Sequence, residues 1–155
     1  GVTVSGTVTS YGSDSDDVTV QLIETGHTEP AYEAVVKGNT ASYSISNVEP
    51  GTYTMKVMKA GHATETYSAI VGTGNLTQNV ALYMMGDVNK SGTITVTDAN
   101  WIRQYVVGSR EFDEQQIRIA DVNNSGGTKP ITVTDANWVR QRVIGARDSL
   151  YKPVL

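Results

Sequence analysis

The sequence predicts an all-β half, a small antiparallel sandwich over residues 1–85, followed by an all-α half over residues 86–155. Three observations carry this. Apolar and polar residues alternate with period two in short runs through the first half. Spacing then changes to i, i+3, i+7, at Ala99, Ile102 and Val106 and again at Ala136, Val139 and Val143. Finally, residues 95–111 (TVTDANWIRQYVVGSRE) and 132–148 (TVTDANWVRQRVIGARD) agree at twelve of seventeen positions, an internal duplication.

The strands follow from alternation and punctuation. Val2-Thr-Val-Ser-Gly-Thr-Val-Thr and Val18-Thr-Val-Gln-Leu-Ile each place apolar side chains on one face. Further runs cover residues 32–36, 41–45, 53–58, 65–71 and 77–83. Gly12-Ser, Gly38-Asn, Glu49-Pro-Gly51, Ala60-Gly61 and Gly72-Thr-Gly74 separate them as turns. Seven short strands at this spacing predict the sandwich. In the second half, each duplicated segment predicts one helix whose inward stripe is the i, i+3, i+7 set. Between them Asp113-Glu-Gln-Gln116 has the form of a capping box that opens a short helix through Ile117 and Ile119.

Bulk properties exclude several functions. No apolar run approaches the roughly 20 residues that span a membrane, and the absence of cysteine excludes a thiol nucleophile and a disulfide framework. The opening Gly1-Val-Thr-Val lacks the basic and apolar zones of a leader and reads as a processed end. The net charge of −4 is uneven: residues 1–85 hold eight acids and three bases, residues 86–155 eight acids and nine bases. With two divalent cations bound the second half would rise from +1 to +5, a hint of an acidic protein surface that is too weak to suggest nucleic acid. His27 and His62 belong to no metal or nucleophile constellation, and Glu24, Glu29 and Glu33 form no paired-carboxylate site. The chain is read as non-catalytic.

The chemistry sits in two oxygen-rich hexamers, Asp87-Val-Asn-Lys-Ser-Gly92 and Asp121-Val-Asn-Asn-Ser-Gly126, each leading into a duplicated helix. A calcium ion takes six to eight oxygens, and an EF-hand loop supplies them from its first, third, fifth and twelfth side chains and seventh carbonyl, with glycine at the sixth. In loop one these are Asp87, Asn89, Ser91, Asp98, the Thr93 carbonyl and Gly92; Thr95 is placed to hold a bridging water and Ile94 to pair the loops. The plainer alternative is an Asn/Gly turn before a helix capped by Asp98. Loop two offers Asp121, Asn123, Ser125 and Asp135, but three extra residues intervene. The carbonyl there falls to Pro130 if the extra residues loop outward, the alternative being a metal-free loop that only keeps the helix geometry. With two carboxylates per loop, affinity should suit extracellular calcium.

A duplicated loop-helix without the usual entry helix, a half EF-hand in tandem, resembles the dockerin family over residues 86–150. The stretch Ser42-Tyr-Ser-Ile-Ser-Asn-Val-Glu-Pro-Gly-Thr-Tyr-Thr-Met-Lys-Val-Met-Lys-Ala-Gly-His62 resembles the carboxypeptidase-regulatory-like, Ig-like sandwiches. The first half as a whole is similar to the X module preceding dockerins in cellulosomal proteins, ruminococcal ones included. The resemblance implies two calcium ions and a cohesin partner on a scaffoldin or cell-surface protein. It further implies an extracellular module, monomeric when unbound, that anchors a secreted parent acting on polysaccharide. Carried over, the partner-binding residues are Val96, Thr97, Asn100, Trp101, Arg103, Gln104 and Val107, with Val133, Thr134, Asn137, Trp138, Arg140 and Gln141 in the second copy. Either tryptophan could equally mark the core edge, and the Arg and Gln residues a solvated face. Because the copies are so alike, rotating the module by half a turn would present nearly the same surface, so two binding modes are expected, unless Tyr105 against Arg142 and the loop-two insertion favour one orientation.

A competing function is carbohydrate binding by the sandwich, with the second half a structural calcium domain. It would need a planar strip drawn from Tyr11, Tyr32, Tyr43, Tyr53 and Tyr67; of these, Tyr43 and Tyr53 are expected in the core or at a corner.

Overall fold

The computed structural model describes residues 1–150 and contains two compact units. One comprises Gly1–Ala60 and Thr64–Leu82; the other comprises Gly61–Ala63 and residues 83–150.

The first unit is a two-sheet sandwich. Its strands are β1 (Val2–Thr9), β2 (Asp17–Glu24), β3 (Tyr32–Lys37), β4 (Thr40–Val48), β5 (Gly51–Lys59), β6 (Glu65–Val71), β7 (Leu76–Thr77) and β8 (Val80–Ala81). One sheet runs β4-β1-β7 with β8 also on β1; the other runs β3-β2-β5-β6. Alternation decides the faces: along β4, Ala41, Tyr43 and Ile45 are buried while Ser42, Ser44 and Ser46 are exposed. The core joins Val4 and Val8 with Val18, Val20, Leu22, Tyr53, Met55 and Val57 from the facing sheet. Tyr53 holds the corner, its hydroxyl donating to the Glu49 carbonyl at 2.8 Å. Lys59 is fully buried, yet its ammonium is satisfied by Ser10 Oγ, the Tyr11 carbonyl and Asn39 Oδ1 at 2.9–3.0 Å. Three donors meet three acceptors, which removes much of the cost of burial. What remains lowers the lysine's pKa, burial being the main cause.

The last predicted strand comes out differently. Residues 77–83 do not form one antiparallel strand; β7 and β8 each pair in parallel with β1, through Val4–Leu76, Ser5–Thr77, Val8–Val80 and Thr9–Ala81. Side chains explain the break. Asn75 Oδ1 accepts from Thr3 N and Asn79 Oδ1 from Thr7 N, at 2.9 and 3.0 Å, taking places that backbone carbonyls would fill. Between them Gln78 N donates to the Ser5 carbonyl, and the Gln78 carbonyl accepts from the buried Tyr43 hydroxyl at 2.6 Å. Burial, then the neighbouring Tyr67, push the Tyr43 pKa to about 12. A tyrosine raised from its ordinary 10 stabilises the fold fully below pH 10 and loses that contribution as pH climbs to 12. The sandwich is therefore expected to shed up to about 3 kcal/mol across that window. Tyr43→Phe should flatten that alkaline limb in urea titrations, and an unchanged limb would contradict the assignment.

The second unit holds α1 (Val96–Val106), α2 (Glu114–Ala120) and α3 (Val133–Val143). Ala99 and Ile102 of α1, Ile119 and Ala120 of α2, and Ala136 and Val139 of α3 form its core with Met85, Val88, Val122, Ile131 and Leu150. Gly61 and Ala63 join the backbone of this unit, Ala63 N donating to the Tyr83 carbonyl and Met85 N to the Gly61 carbonyl. Asp113 caps α2 and forms the box with Gln116, as the sequence predicts. The inward stripe stops a turn short: Val106 and Val143 are 40% exposed. Each is the last residue of its helix, just before the chain turns at Gly108 or Gly145, where φ is 82° and 79°.

Candidate functional site

Each loop is organised by its two aspartates. In loop one, Asp87 Oδ1 accepts from Ser91 N at 3.0 Å and Oδ2 from Gly92 N at 2.9 Å. Across the ring, Asp98 Oδ1 accepts from Asn89 N at 3.2 Å and Oδ2 from Thr95 N at 2.9 Å. Ser91 Oγ donates to the Thr93 carbonyl at 3.0 Å. The turn needs Lys90 at φ 58° and Gly92 at φ 91°, the left-handed region. The oxygens of Asp87, Asn89, Ser91, Thr93 and Asp98 thus gather in one loop.

Loop two repeats this contact by contact. Asp121 accepts from Ser125 N and Gly126 N, and Asp135 from Asn123 N and Thr132 N. Ser125 Oγ donates to the Pro130 carbonyl at 2.9 Å, where Ser91 meets Thr93 in loop one. The inserted residues lie outside that closure, with Gly126 and Gly127 both at positive φ. The loops differ in burial: Asp87, Asp98 and Asp135 are fully buried, whereas Asp121 is half-buried.

Helix geometry grows out of the same side chains. Thr95 and Thr132 cap α1 and α3, and Asp98 and Asp135 complete the boxes from the third helical position. Asp98 is therefore not the cap itself; a threonine supplies that, leaving the aspartate facing the loop. Burial raises the pKa of Asp98 and of Asp135, partly opposed by the backbone donors; the charge of Asp87 or Asp121 pushes the same way as burial. Among the described residues none of these four carboxylates has an ion pair with a basic side chain. Nor does any cluster of three His, Cys, Asp or Glu side chains occur among them. Two carboxylates without a cationic partner, both buried in loop one and one buried with one half-buried in loop two, lie among neutral oxygens and fit a hard divalent cation.

The carried-over partner residues fall on exposed surface. Val96 and Val133 are 52% and 53% exposed, and Val107 is 77% exposed. Thr97, Asn100, Arg103 and Gln104 on α1, and Thr134, Asn137, Arg140 and Gln141 on α3, are exposed as well. Asn100, Arg103, Gln104 and Val107 together line a shallow depression. Trp101 and Trp138 are half-buried at the core's edge. Each carries an arginine that sequence reasoning missed: Arg110 Cζ lies 3.8 Å from the Trp101 ring centroid and Arg147 Cζ 3.7 Å from that of Trp138. Their signal was available, since both copies keep Trp, Gln and Arg at the same relative positions. Ile144, 77% exposed, was also missed as the partner copy of Val107.

Three of the five tyrosines do not form a planar strip. Tyr43 and Tyr53 are core residues, and Tyr32 meets Tyr53 edge-on, ring centroids 6.0 Å apart. Among the described residues no helix is long and apolar enough to cross a membrane.

Comparisons with known proteins bear on both units. The family described as "Dockerin type I domain" matches residues 85–144. That described as "BOS complex subunit NOMO1-like, second beta sandwich domain" matches residues 1–85. Among solved structures, one similar chain comes from the complex of the third ScaC cohesin with a mutated ScaB dockerin of Acetivibrio cellulolyticus. It is 37% identical over 43% of this chain and 89% of its own, with a TM-score of 0.39. Chains from N- and C-terminal interface mutants of a type II cohesin–X-dockerin complex of the same organism are 23% and 19% identical. Each spans 91% of this chain and 94% of its own, with TM-scores of 0.44 and 0.43. No curated protein matches. Through residues 1–85 the chain belongs to the NOMO1-like β-sandwich family, and its residues 85–144 match the type I dockerin domain.

Proposed function

We propose that the chain is a calcium-dependent docking module whose dockerin half, residues 86–155, binds a cohesin and so anchors a secreted, polysaccharide-degrading parent to a scaffoldin or the cell surface. The observation that carries this reading is the repeated coupling of an aspartate ring to a helix cap. Asp98 and Asp135 each belong to a loop and to the first turn of a helix at once. Calcium, when bound, would supply the positive charge that these buried carboxylates lack. Asp87, Asn89, Ser91, the Thr93 carbonyl and Asp98 would hold one ion, and Asp121, Asn123, Ser125, the Pro130 carbonyl and Asp135 the second. The protein's own residues do the rest: the threonine caps fix where α1 and α3 start, and Val96, Thr97, Asn100, Arg103 and Gln104, or their copies, meet the partner. Residues 1–85 act as an X module that stiffens the pair. The module works outside the cell, where calcium suits sites with few charged ligands.

Immobilised cohesin modules should retain the chain in calcium and release it in a chelator. Retention that ignores the chelator would end this reading. Substituting Val96 and Thr97, or Val133 and Thr134, tests for two modes: either change alone should be tolerated, and both together should abolish retention.

A further inference from the structure

We propose that Arg110 and Arg147 are partner-binding residues, each pre-set by a Trp–Gln pair to receive a carboxylate of the docking partner. This deepens the docking reading and rests on it. The two sites are built alike. Arg110 lies flat over Trp101 and donates through Nε to Gln104 Oε1 at 2.8 Å; Arg147 lies over Trp138 and donates through Nε to Gln141 Oε1 at 3.2 Å. One face and one donor of each guanidinium are thus committed. The Nη groups form no hydrogen bond or ion pair among the described residues, although Glu111 and Asp148 follow directly in sequence. An arginine held this way has already lost the freedom that binding would otherwise take from it. Its planar fork matches a carboxylate with two parallel hydrogen bonds.

Position and charge identify the occupant. Gln104, which holds Arg110, also lines the depression with Asn100, Arg103 and Val107, so the fork continues the proposed docking face. That face carries Arg103 and Arg110, and its copy Arg140 and Arg147. The acids of α1 and α3, Asp98 and Asp135, are buried in the loops. A cationic face with exposed Val96 and Val107, or Val133 and Ile144, fits a protein surface that sets carboxylates beside an apolar patch. The duplication keeps these triads while neighbours change: Tyr105 becomes Arg142, Ser109 becomes Ala146 and Phe112 becomes Ser149.

The test uses the full chain in saturating calcium and a cohesin that retains it. Arg110→Gln with Arg147→Gln should weaken binding at least about tenfold at low salt, with the deficit shrinking as salt rises. Helical circular dichroism should stay unchanged. Arg110→Lys with Arg147→Lys should fail to restore affinity, since an ammonium lacks the fork. If the Gln pair loses helix signal, the Lys pair decides: weakened binding with intact helices supports the proposal, and full affinity overturns it. Wild-type affinity in a folded Gln pair overturns this inference alone. A wild-type chain that binds no cohesin overturns the docking reading and this inference together.

Discussion

Asp98→Ala is expected to destabilise the second unit by roughly 4 kcal/mol in calcium and by about half that in chelator. The carboxylate accepts from Thr95 N and Asn89 N and is fully buried, so its removal strands two backbone donors, each costing about 1–3 kcal/mol. In chelator part of that loss is offset, because the buried charge is itself unfavourable, as its raised pKa shows. In calcium nothing offsets it, and the stabilisation that the ion brings through mass action falls as well. Urea unfolding followed by helical dichroism, with and without calcium, measures both numbers. A variant within about 0.5 kcal/mol of wild type in calcium would show that the ring is not coupled to the helix. Asp135→Ala should act in the same direction but less, because Asp121 across loop two is half-buried where Asp87 is fully buried.

Gly6→Ala should unseat the parallel strands of the sandwich at a cost of about 3 kcal/mol or more. A Cβ on Gly6 would sit 2.1 Å from the Gln78 carbonyl oxygen and 2.7 Å from its carbon, both backbone atoms that cannot swing aside. The same carbonyl accepts from Tyr43, and the Gln78 amide donates to Ser5, so moving it breaks two hydrogen bonds together. Gly72→Ala and Gly74→Ala are the controls, since a Cβ at either meets nothing within 4 Å. Thermal unfolding of the three variants separates steric clash from loss of glycine. A Gly6 variant melting with its controls would mean that β7 and β8 do not lie against β1 in solution.

Much of this was legible because the chain repeats itself. Asp98 could be read as closing its loop since the spacing from Asp87 matches an oxygen ring, and Asp135 because it opens the duplicated helix at the same place despite three extra residues. Pro130 could be read as the substitute carbonyl because one was needed there. Tyr43 and Tyr53 were likewise legible as core or corner residues, and both are buried. What stayed hidden had no periodic trace. A strand's pattern says which side chains point inward but not which edge it joins, so residues 77–83 could not reveal their parallel pairing with β1. That pairing depends on Asn75 and Asn79 accepting from Thr3 and Thr7 across 72 residues of sequence. Helical periodicity likewise promised Val106 and Val143 to the core, because a helical wheel does not register where the core ends. The Trp, Gln and Arg of the two copies repeat in register, but only the folded chain lays Arg110 and Arg147 over the tryptophans.

The two tryptophans are the only ones in the chain, one in each copy, each beneath a guanidinium. Each is thus a built-in fluorophore for its own helix. Changing Trp101 to Phe leaves emission from the second copy alone, and changing Trp138 leaves the first. The two single-chromophore proteins would then show by colour shift which half of the duplicated surface a bound partner has covered.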